Sequence, residues 1–185
     1  RITRAMTMRL DLPSLLRLIL NSAAELVDCR AGLVVLARTD LPSSAAASQA
    51  DRFQIRATYG IAADKLPAFQ PLLDVPPILQ ESDDADAAPQ LDPYFADLQA
   101  RVREVEANLG TPLGQVVGLP LLVEEDLLGI IYLFRGEQAF TSLDWQFLQG
   151  FAEQAAVAVR NARLYQQLAR ERSRFATIIQ KSADG

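Results

Sequence analysis

Apolar residues recur with the period of an α-helix at both ends of the chain. Residues 11–28, DLPSLLRLILNSAAELVD, place apolar side chains at helical spacing, and Pro13 lies near the start, where proline is tolerated. A second apolar series alternates in steps of three and four, the heptad spacing of a helix that packs along another helix: Leu148, Phe151, Ala155, Ala158, Ala162, Tyr165 and Ala169. Neither glycine nor proline occurs between Phe151 and Asp184. We therefore predict an opening helix and a long closing helix.

Four segments between these helices have the patterns of β-strands. Residues 31–38, AGLVVLAR, are apolar at both parities, which is typical of a strand covered on both faces. Residues 52–60 alternate apolar and polar positions and predict a strand with one wet face, paired with the first strand in a hairpin; the apolar positions are Phe53, Ile55, Ala57 and Tyr59. Residues 115–136 predict two more strands joined at Glu124 to Asp126, the second of them a neighbour for the first strand.

The middle of the chain is rich in proline and acid. Residues 61–95 predict loops, short helical turns and a brief strand at 77–81. A helix start at Asp92 and Pro93 and a stop at Gly110 predict a helix between them. The acidic run ESDDADAAPQLD lacks the glycine and the terminal glutamate of a calcium loop, so we interpret it as a solvated loop.

Composition narrows the classes of function. The chain has 185 residues, half of them apolar, which fits one domain with extensions. Its 18 basic and 23 acidic residues provide no basic field for nucleic acid. No histidine is present, which removes the commonest general base and metal ligand. The single cysteine, Cys29, cannot form an intramolecular disulfide, and no segment has the ~20 apolar residues of a membrane span. We expect a cytoplasmic setting.

The closing helix has a defined start. Thr141 is placed to be its N-cap residue, and Asp144, three residues later, completes a pattern similar to a capping box. Phe140, just before the cap, is placed to pack against the first turn. After Tyr165 the sequence becomes strongly charged, QQLARERSR, so we expect the helix to leave its domain there.

Five features follow one another along residues 118–168: Pro120-Leu121, Gly129 before Ile130 and Ile131, Phe140-Thr141, Asp144, and Asn161-Ala162-Arg163-Leu164-Tyr165. In this order they resemble the C-terminal half of a GAF domain. The opening helix and first strand also lie where the family has them, and the resemblance fades over 74–110. It implies an α+β fold with a central antiparallel sheet of five or six strands. The terminal helices would cover one face, and loops with a short helix would cover a pocket on the other.

The resemblance also implies a domain organisation. We expect an upstream linker helix at 1–10, the GAF domain at 11–168, and a signalling-helix linker with the start of a PAS domain at 169–185. The last part rests on RERSRFATIIQKSADG, which is similar to the entrance of a PAS domain. The chain begins without an initiator methionine. We therefore expect a piece of a multidomain bacterial signalling protein, such as a sensor histidine kinase or a cyclic-dinucleotide enzyme.

Members of this family bind cyclic nucleotides, bilins, haem or small metabolites, or have no known ligand. A covalent bilin needs a cysteine near the helix over the pocket, and residues 74–115 contain none. Haem on a proximal histidine is excluded by composition, and the family's cyclic-nucleotide signature Asn-Lys-Phe-Asp-Glu is absent. We therefore assign no cofactor. Arg56 is expected to face outward. The candidate pocket residues, which would serve equally well as core, are Phe53, Tyr59, Phe69, Tyr94 and Phe95.

These patterns lead to one functional hypothesis with two alternatives. We expect a non-catalytic sensory domain that forms a homodimer through its terminal helices. It would relay small-molecule or conformational signals to downstream domains, with a histidine kinase as the output of a two-component system. The alternatives are a ligand-free dimerisation scaffold and a cyclic-nucleotide-binding regulatory domain. The predicted interface residues are Leu12, Leu16, Ile19, Leu148, Phe151, Ala155, Ala158, Ala162 and Tyr165.

Overall fold

A four-stranded antiparallel sheet with helices on both faces forms the body of the domain. The computed structural model describes residues 11–39, 52–74, 92–124 and 126–183. The elements in chain order are helix α1 (Leu12–Leu26), strands β1 (Ala31–Ala37) and β2 (Phe53–Tyr59), a 3-10 helix (Ala63–Leu72), helix α2 (Asp92–Leu109), strands β3 (Gln115–Val123) and β4 (Asp126–Gly136), and helix α3 (Ser142–Ala183). The predicted α+β class is confirmed.

The strand order is β2-β1-β4-β3, with every neighbouring pair antiparallel. β1 and β4 are the two central strands, and their apolar runs are buried on both faces, as the sequence pattern predicts. The predicted pairing of β1 with β2 and of β4 with β1 is confirmed. The described residues form four strands where the family resemblance implies five or six, and the strand predicted at 77–81 lies outside them.

Each face of the sheet has its own apolar core. Helices α1 and α3 pack on one face, where their buried side chains meet alternate residues of all four strands. The 3-10 helix and α2 pack on the other face, against the intervening residues. We call these the helical face and the cover face. The terminal helices therefore lie side by side on one face, as predicted.

A β-bulge in β2 changes which face its apolar residues occupy. Val34 of β1 pairs with Ala57, whereas the next residue, Val35, pairs with Ile55, so Arg56 is the extra residue of the bulge. Phe53 and Ile55 consequently pack on the cover face, while Ala57 and Tyr59 pack on the helical face. The prediction that these four apolar residues share one face is wrong. The period of two holds only while the register is unbroken, and an inserted residue reverses every later side chain.

Glycine is required where β1 and β4 approach closely. A Cβ added to Gly129 would lie 2.2 Å from the carbonyl oxygen of Val35, which is backbone and cannot rotate away. The side chain of Leu36 lies on the same spot, with Cδ2 at 2.7 Å. Gly129 is thus the residue of the family pattern whose role the fold explains most directly.

The predicted α2 helix is confirmed, and side-chain hydrogen bonds hold it in place. It ends before Gly110, whose φ of 71° is in the left-handed region that favours glycine. Asn108 donates from Nδ2 to the carbonyl of Ala68 in the 3-10 helix at 3.3 Å. Glu106 accepts the backbone N–H groups of Leu113 and Gly114 at 2.8 and 3.2 Å. These bonds fix the cover helix over the sheet.

Candidate functional site

The cover face is the side of the sheet on which the family resemblance predicts a ligand pocket. Phe53 and Phe69 both lie there and are 9% and 1% exposed. The rings of Phe69 and Phe134 are 5.9 Å apart at a tilt of 57°. Tyr59 does not join them, because the bulge in β2 turns it to the helical face, where it packs against the other core. The side chains of Tyr94 and Phe95 lie outside the described residues.

The described part of the cover face is apolar. Tyr132 donates its hydroxyl to the carbonyl oxygen of Leu72 at 3.1 Å. Apart from Tyr132 and Cys29, every buried side chain in the ranges that the structure describes is a hydrocarbon. In those ranges, no three acidic or sulfur side chains come together as metal ligands would. These residues therefore offer apolar packing and no converging chemistry.

Sequence reasoning missed the two fully buried aromatic side chains of the sheet. Tyr132 and Phe134 are fully buried on the cover face. Tyr132 and Phe134 are two residues apart in β4, so they share one face of a strand that the sequence predicts to be covered on both faces.

The single cysteine is a core residue. Cys29 is 6% exposed and forms no disulfide. Its burial raises the pKa of the thiol to about 11, against an opposing effect of the Arg135 charge. The thiol is therefore protonated at neutral pH, and a protonated thiol is neither a nucleophile nor a metal ligand.

The start of α3 is fixed by reciprocal capping. The side chain of Asp144 accepts the N–H of Thr141 at 2.9 Å, and the Thr141 hydroxyl accepts the N–H of Asp144 at 3.2 Å. Arg135 of β4 donates to the same Asp144 oxygen at 2.6 Å and lies over the Phe140 ring, 5.4 Å from its centroid. Hydrogen bonds from Thr141 and from Arg135 lower the pKa of Asp144. The predicted capping pattern is confirmed, and it also ties α3 to the sheet.

Several predicted interface residues lie inside the domain. Leu16, Leu148 and Ala155 are fully buried, and Ile19 is 8% exposed, all in the core between the helices and the sheet. Leu12 and Phe151 are half-buried against the same core, and Ala158 and Ala162 are half-buried. Tyr165 is the most exposed of the set, at 74%. Up to Val159, the last buried residue of α3, the predicted stripe is the side that holds α3 to its own sheet.

A second apolar stripe runs along the outside of α3. We call it the outer seam. Its members are shifted by one residue from the predicted stripe and keep the same steps of three and four: Phe147, Gly150, Gln154, Val157, Asn161, Leu164, Leu168, Glu171, Phe175 and Ile178. Its large apolar members are between 46% and 66% exposed: Phe147, Val157, Leu164, Leu168, Phe175 and Ile178. The sequence already contains this spacing, because each seam residue up to Leu168 directly precedes a residue of the predicted stripe.

The second part of α3 leaves the domain. After Val159, only Ala162 and Arg163 are half-buried, and the remaining described side chains up to Gln180 are exposed. Arg163 donates from Nη2 to the carbonyl oxygen of Ala37, at the end of β1, at 2.7 Å. In the part of the chain that the structure describes, no helix is both long and apolar enough to cross a membrane.

One open cleft lies at the end of the sheet where β4 meets the loop before α3. It has a volume of about 880 Å³ with its open solvent and about 400 Å³ of space for water-sized groups. Asp28 and Glu137 line it together with Arg30 and Arg135, so both signs of charge are present. The lining thus carries two acidic and two basic side chains, and neither sign of charge prevails.

Comparison with known proteins identifies relatives of this fold. A family model described as the GAF domain matches residues 11–159. A GAF domain/HD domain protein from Geobacter sulfurreducens has a similar structure, with a TM-score of 0.53, 16% identity, and coverage of 85% of this chain and 97% of that one. A domain from a two-component sensor histidine kinase protein of Sinorhizobium meliloti 1021 gives a TM-score of 0.53 and 16% identity, covering 83% and 92% of the two chains.

A third solved structure extends the comparison to another kind of protein. The corresponding domain of an Acinetobacter phosphoenolpyruvate-protein phosphotransferase has a TM-score of 0.51 at 13% identity, with coverage of 89% of this chain and 91% of that chain. Among curated proteins, no sequence matches the chain. At these identities the structural neighbours establish the shared fold, while the match over residues 11–159 establishes the relationship.

Proposed function

The chain belongs to the GAF domain family, and we propose that it is a non-catalytic regulatory domain of a multidomain sensor. It pairs with a second copy through α3 and passes changes in the domain body along that helix. The observation that carries the proposal is the length of α3, which has 42 residues although its last buried residue is Val159. A helix extended so far past its own core needs another surface to cover its apolar side chains.

The outer seam supplies that surface. Soluble monomers rarely leave large contiguous apolar patches uncovered, and the seam continues from the domain into residues 160–180, the exit part of α3. Two copies aligned in parallel would place equivalent seam residues opposite one another along the helix pair. Asn161 lies in the middle of the seam. A single asparagine at such a position favours one register of a parallel pair at some expense of stability.

This proposal keeps the predicted homodimer and changes most of its contacts. The interface lies on the outer seam of α3, because Leu148 and Ala155 are occupied within the domain. Leu18 and Leu26 of α1 are 56% and 52% exposed, so α1 can contribute to the same bundle. The terminal helices remain the dimerising elements.

The relay follows from the attachment of α3 at both ends of its docked part. The capping bonds of Thr141 and Asp144 hold its start, and the bond from Arg163 to Ala37 holds it where it leaves the domain. A ligand or partner that favours one arrangement of the sheet would therefore bias the direction or register of the exit part. The shift is limited to the difference in its affinity for the two arrangements.

The downstream partner in this proposal is a PAS domain followed by a histidine kinase in the same chain. The support is the PAS-like sequence after residue 168 and the presence of this fold in a sensor histidine kinase of Sinorhizobium meliloti 1021. The unpaired, buried Cys29 agrees with a cytoplasmic setting.

A ligand-free dimerisation scaffold is the second candidate. It is favoured by the packing of the cover face, where Phe69, Tyr132 and Phe134 are fully buried and the Tyr132 hydroxyl is already bonded. Thermal unfolding in the presence of cyclic nucleotides and a panel of metabolites separates the two functions. A ligand at a hundred times its dissociation constant stabilises the folded state by about 2.7 kcal/mol, which shifts the melting temperature measurably. The scaffold predicts no shift with any of them.

Sedimentation equilibrium of the whole chain at micromolar concentration tests the dimer. We expect a dimer for the wild-type chain and a monomer for a variant carrying Leu164→Glu and Leu168→Glu, because two charges would be buried against their own copies. Ser173→Glu and Ala176→Glu add the same two charges at exposed positions that do not flank the seam; they are the matched control and should leave the dimer intact. A monomeric wild-type chain would refute the proposal, and so would a dimer that survives both seam substitutions.

A further inference from the structure

A small cleft lies where α3 leaves the domain. It has about 240 Å³ of space for water-sized groups, between the start of α1, the end of β1, the bulged part of β2 and the first exit turns of α3. Its polar lining includes Gln54, Arg56, Arg163, Gln166 and Arg170. It is on the opposite side of the sheet from the cover face, so it is separate from the pocket that the family resemblance implies.

The charges of this cleft are all of one sign. Three arginines line it, and no carboxylate is among its described lining residues. Arg56 and Arg170 form no ion pair with any carboxylate in the described ranges, and Arg163 bonds only to the neutral carbonyl of Ala37. In a chain with a net charge of −5, three adjacent cations without an acidic partner are an unusual local excess. Like charges held together repel, and a bound anion relieves that repulsion.

The fold builds this arrangement from three elements. Arg56 is the extra residue of the β2 bulge, and bulges commonly re-aim a side chain. Arg163 is held in place by its bond to Ala37, and burial, followed by the charge of Arg56, lowers its pKa. Gln54 and Gln166 add amide groups on opposite sides of the cleft. The lining therefore combines a fixed guanidinium with further donors on the sheet and on the helix.

We propose that this cleft binds a small phosphate-bearing anion through Arg56, Arg163 and Arg170. The planar guanidinium forms paired hydrogen bonds with phosphate oxygens, which makes arginine the preferred residue for such groups. The available space corresponds to about eight water molecules at ~30 Å³ each. It suits a phosphate, a pyrophosphate or a small phosphate monoester, and it is below the range of about 300–1,000 Å³ of pockets for larger ligands.

The bound anion joins two parts of the molecule. Arg56 belongs to the sheet. Arg163 and Arg170 belong to α3, and Arg170 lies about two turns after Arg163. An anion shared by these side chains would hold the exit part against the domain body. Binding itself is independent of the dimer, and only its effect on signalling rests on the proposed function.

Isothermal titration calorimetry of the whole chain at constant ionic strength tests the site. The probes are inorganic phosphate, pyrophosphate and glycerol phosphate, titrated against a background of chloride. We expect saturable binding of at least one probe, weakened about tenfold or more by either Arg56→Gln or Arg170→Gln. Both positions are exposed, so these variants should fold. Preference for glycerol phosphate would indicate a metabolite, and preference for pyrophosphate an inorganic ion.

Arg174→Gln is the matched control, because it removes the same charge from the same helix outside the cleft. It should leave the affinity unchanged. Binding no stronger than chloride, an equal loss in Arg174→Gln, or unchanged affinity in both cleft variants would overturn the proposal. Hydrogen exchange of the amides of residues 160–170 gives a second measure and should slow when the probe binds. Sedimentation of the same samples reports the dimer separately, so failure of the anion site is distinguishable from failure of the dimer.

Discussion

The docked part of α3, residues 142–159, and its exit part, residues 160–180, share one helical backbone and have different surroundings. The docked part contributes Leu148, Ala152, Ala155, Ala156 and Val159 to the core on the helical face. The exit part carries large apolar residues that are more than half exposed: Leu164, Tyr165, Leu168, Phe175, Ile178 and Ile179. In the docked part, the apolar residues at heptad spacing make contacts within the domain. In the exit part, large apolar side chains at the same spacing are exposed in the described chain, and we propose that a second copy covers them.

Removing a core contact of the docked part should have the largest effect. Leu148→Ala deletes a fully buried side chain between α3 and the sheet. We expect it to lower the free energy of unfolding by about 3 kcal/mol, within the usual range for such truncations. Denaturant unfolding monitored by far-ultraviolet circular dichroism measures the change. The control is Leu168→Ala, an equal truncation in the exit part, in a concentration series that separates folding from association.

If Leu168→Ala destabilises the monomer as much as Leu148→Ala does, the two parts of α3 do not differ as described. A small change for Leu168→Ala, within about 0.5 kcal/mol for the monomer, is the expected result for an exposed position.

The exit part should instead control association, and two adjacent residues sharpen that expectation. Leu164 belongs to the outer seam, whereas Tyr165 belongs to the stripe predicted from the sequence; they are 51% and 74% exposed. We expect Leu164→Ala to weaken the dimer about tenfold or more, because each dimer loses the burial of two half-exposed leucine side chains and about 1.4 kcal/mol suffices for a factor of ten. Tyr165→Ala should have a smaller effect. Sedimentation equilibrium gives both constants, and a larger loss for Tyr165→Ala would place the interface on the predicted stripe.

The sequence was a good guide to elements whose signals are local. The cap at Thr141 and Asp144, the stop at Gly110 and the buried run of β1 all depend on residues close together in the chain, and each was predictable. The fold class followed from the ordered family pattern between Pro120 and Tyr165, which includes Gly129, a position where only glycine fits against β1.

The errors arose where a short-range pattern had more than one three-dimensional solution. Tyr59 was placed with Phe53 because they share a parity, but the bulge at Arg56 separates them, and alternation alone does not reveal an inserted residue. Two stripes one residue apart on α3 have the same spacing, so spacing alone does not say which of them faces the sheet. Neighbouring positions on a helix differ by only about 100°. Which stripe faces the sheet depends on how α3 is docked, and that is fixed by long-range contacts.

Substitution of the N-cap residue of α3 should have an effect of intermediate size on the stability of the domain. Thr141→Ala removes the hydroxyl that accepts the N–H of Asp144. We expect a loss of about 1 kcal/mol in unfolding free energy, as for other N-cap substitutions. Thr141→Ser keeps the hydroxyl and should restore most of the stability, while Thr177→Ala in the exit part should change little. Equal effects at Thr141 and Thr177 would mean that the start of α3 is not specially held.

The smallest expected effect is a pH dependence confined to the docked part. The folded-state pKa of Asp144 is lowered by its bonds with Thr141 and Arg135, so its carboxylate stabilises the fold at pH values above its unfolded pKa, about 3.9. The contribution is lost as the pH falls below about 4 towards the folded-state pKa, because protonation then removes the charge. Unfolding curves of the wild type and of Asp144→Asn between about pH 7 and pH 3 should differ most at neutral pH and converge in acid. Glu153→Gln, which removes an exposed carboxylate of α3 outside the outer seam, is the matched control for the loss of one charge. A constant difference between wild type and Asp144→Asn across this range would show that the carboxylate charge has no part in holding α3 to the sheet.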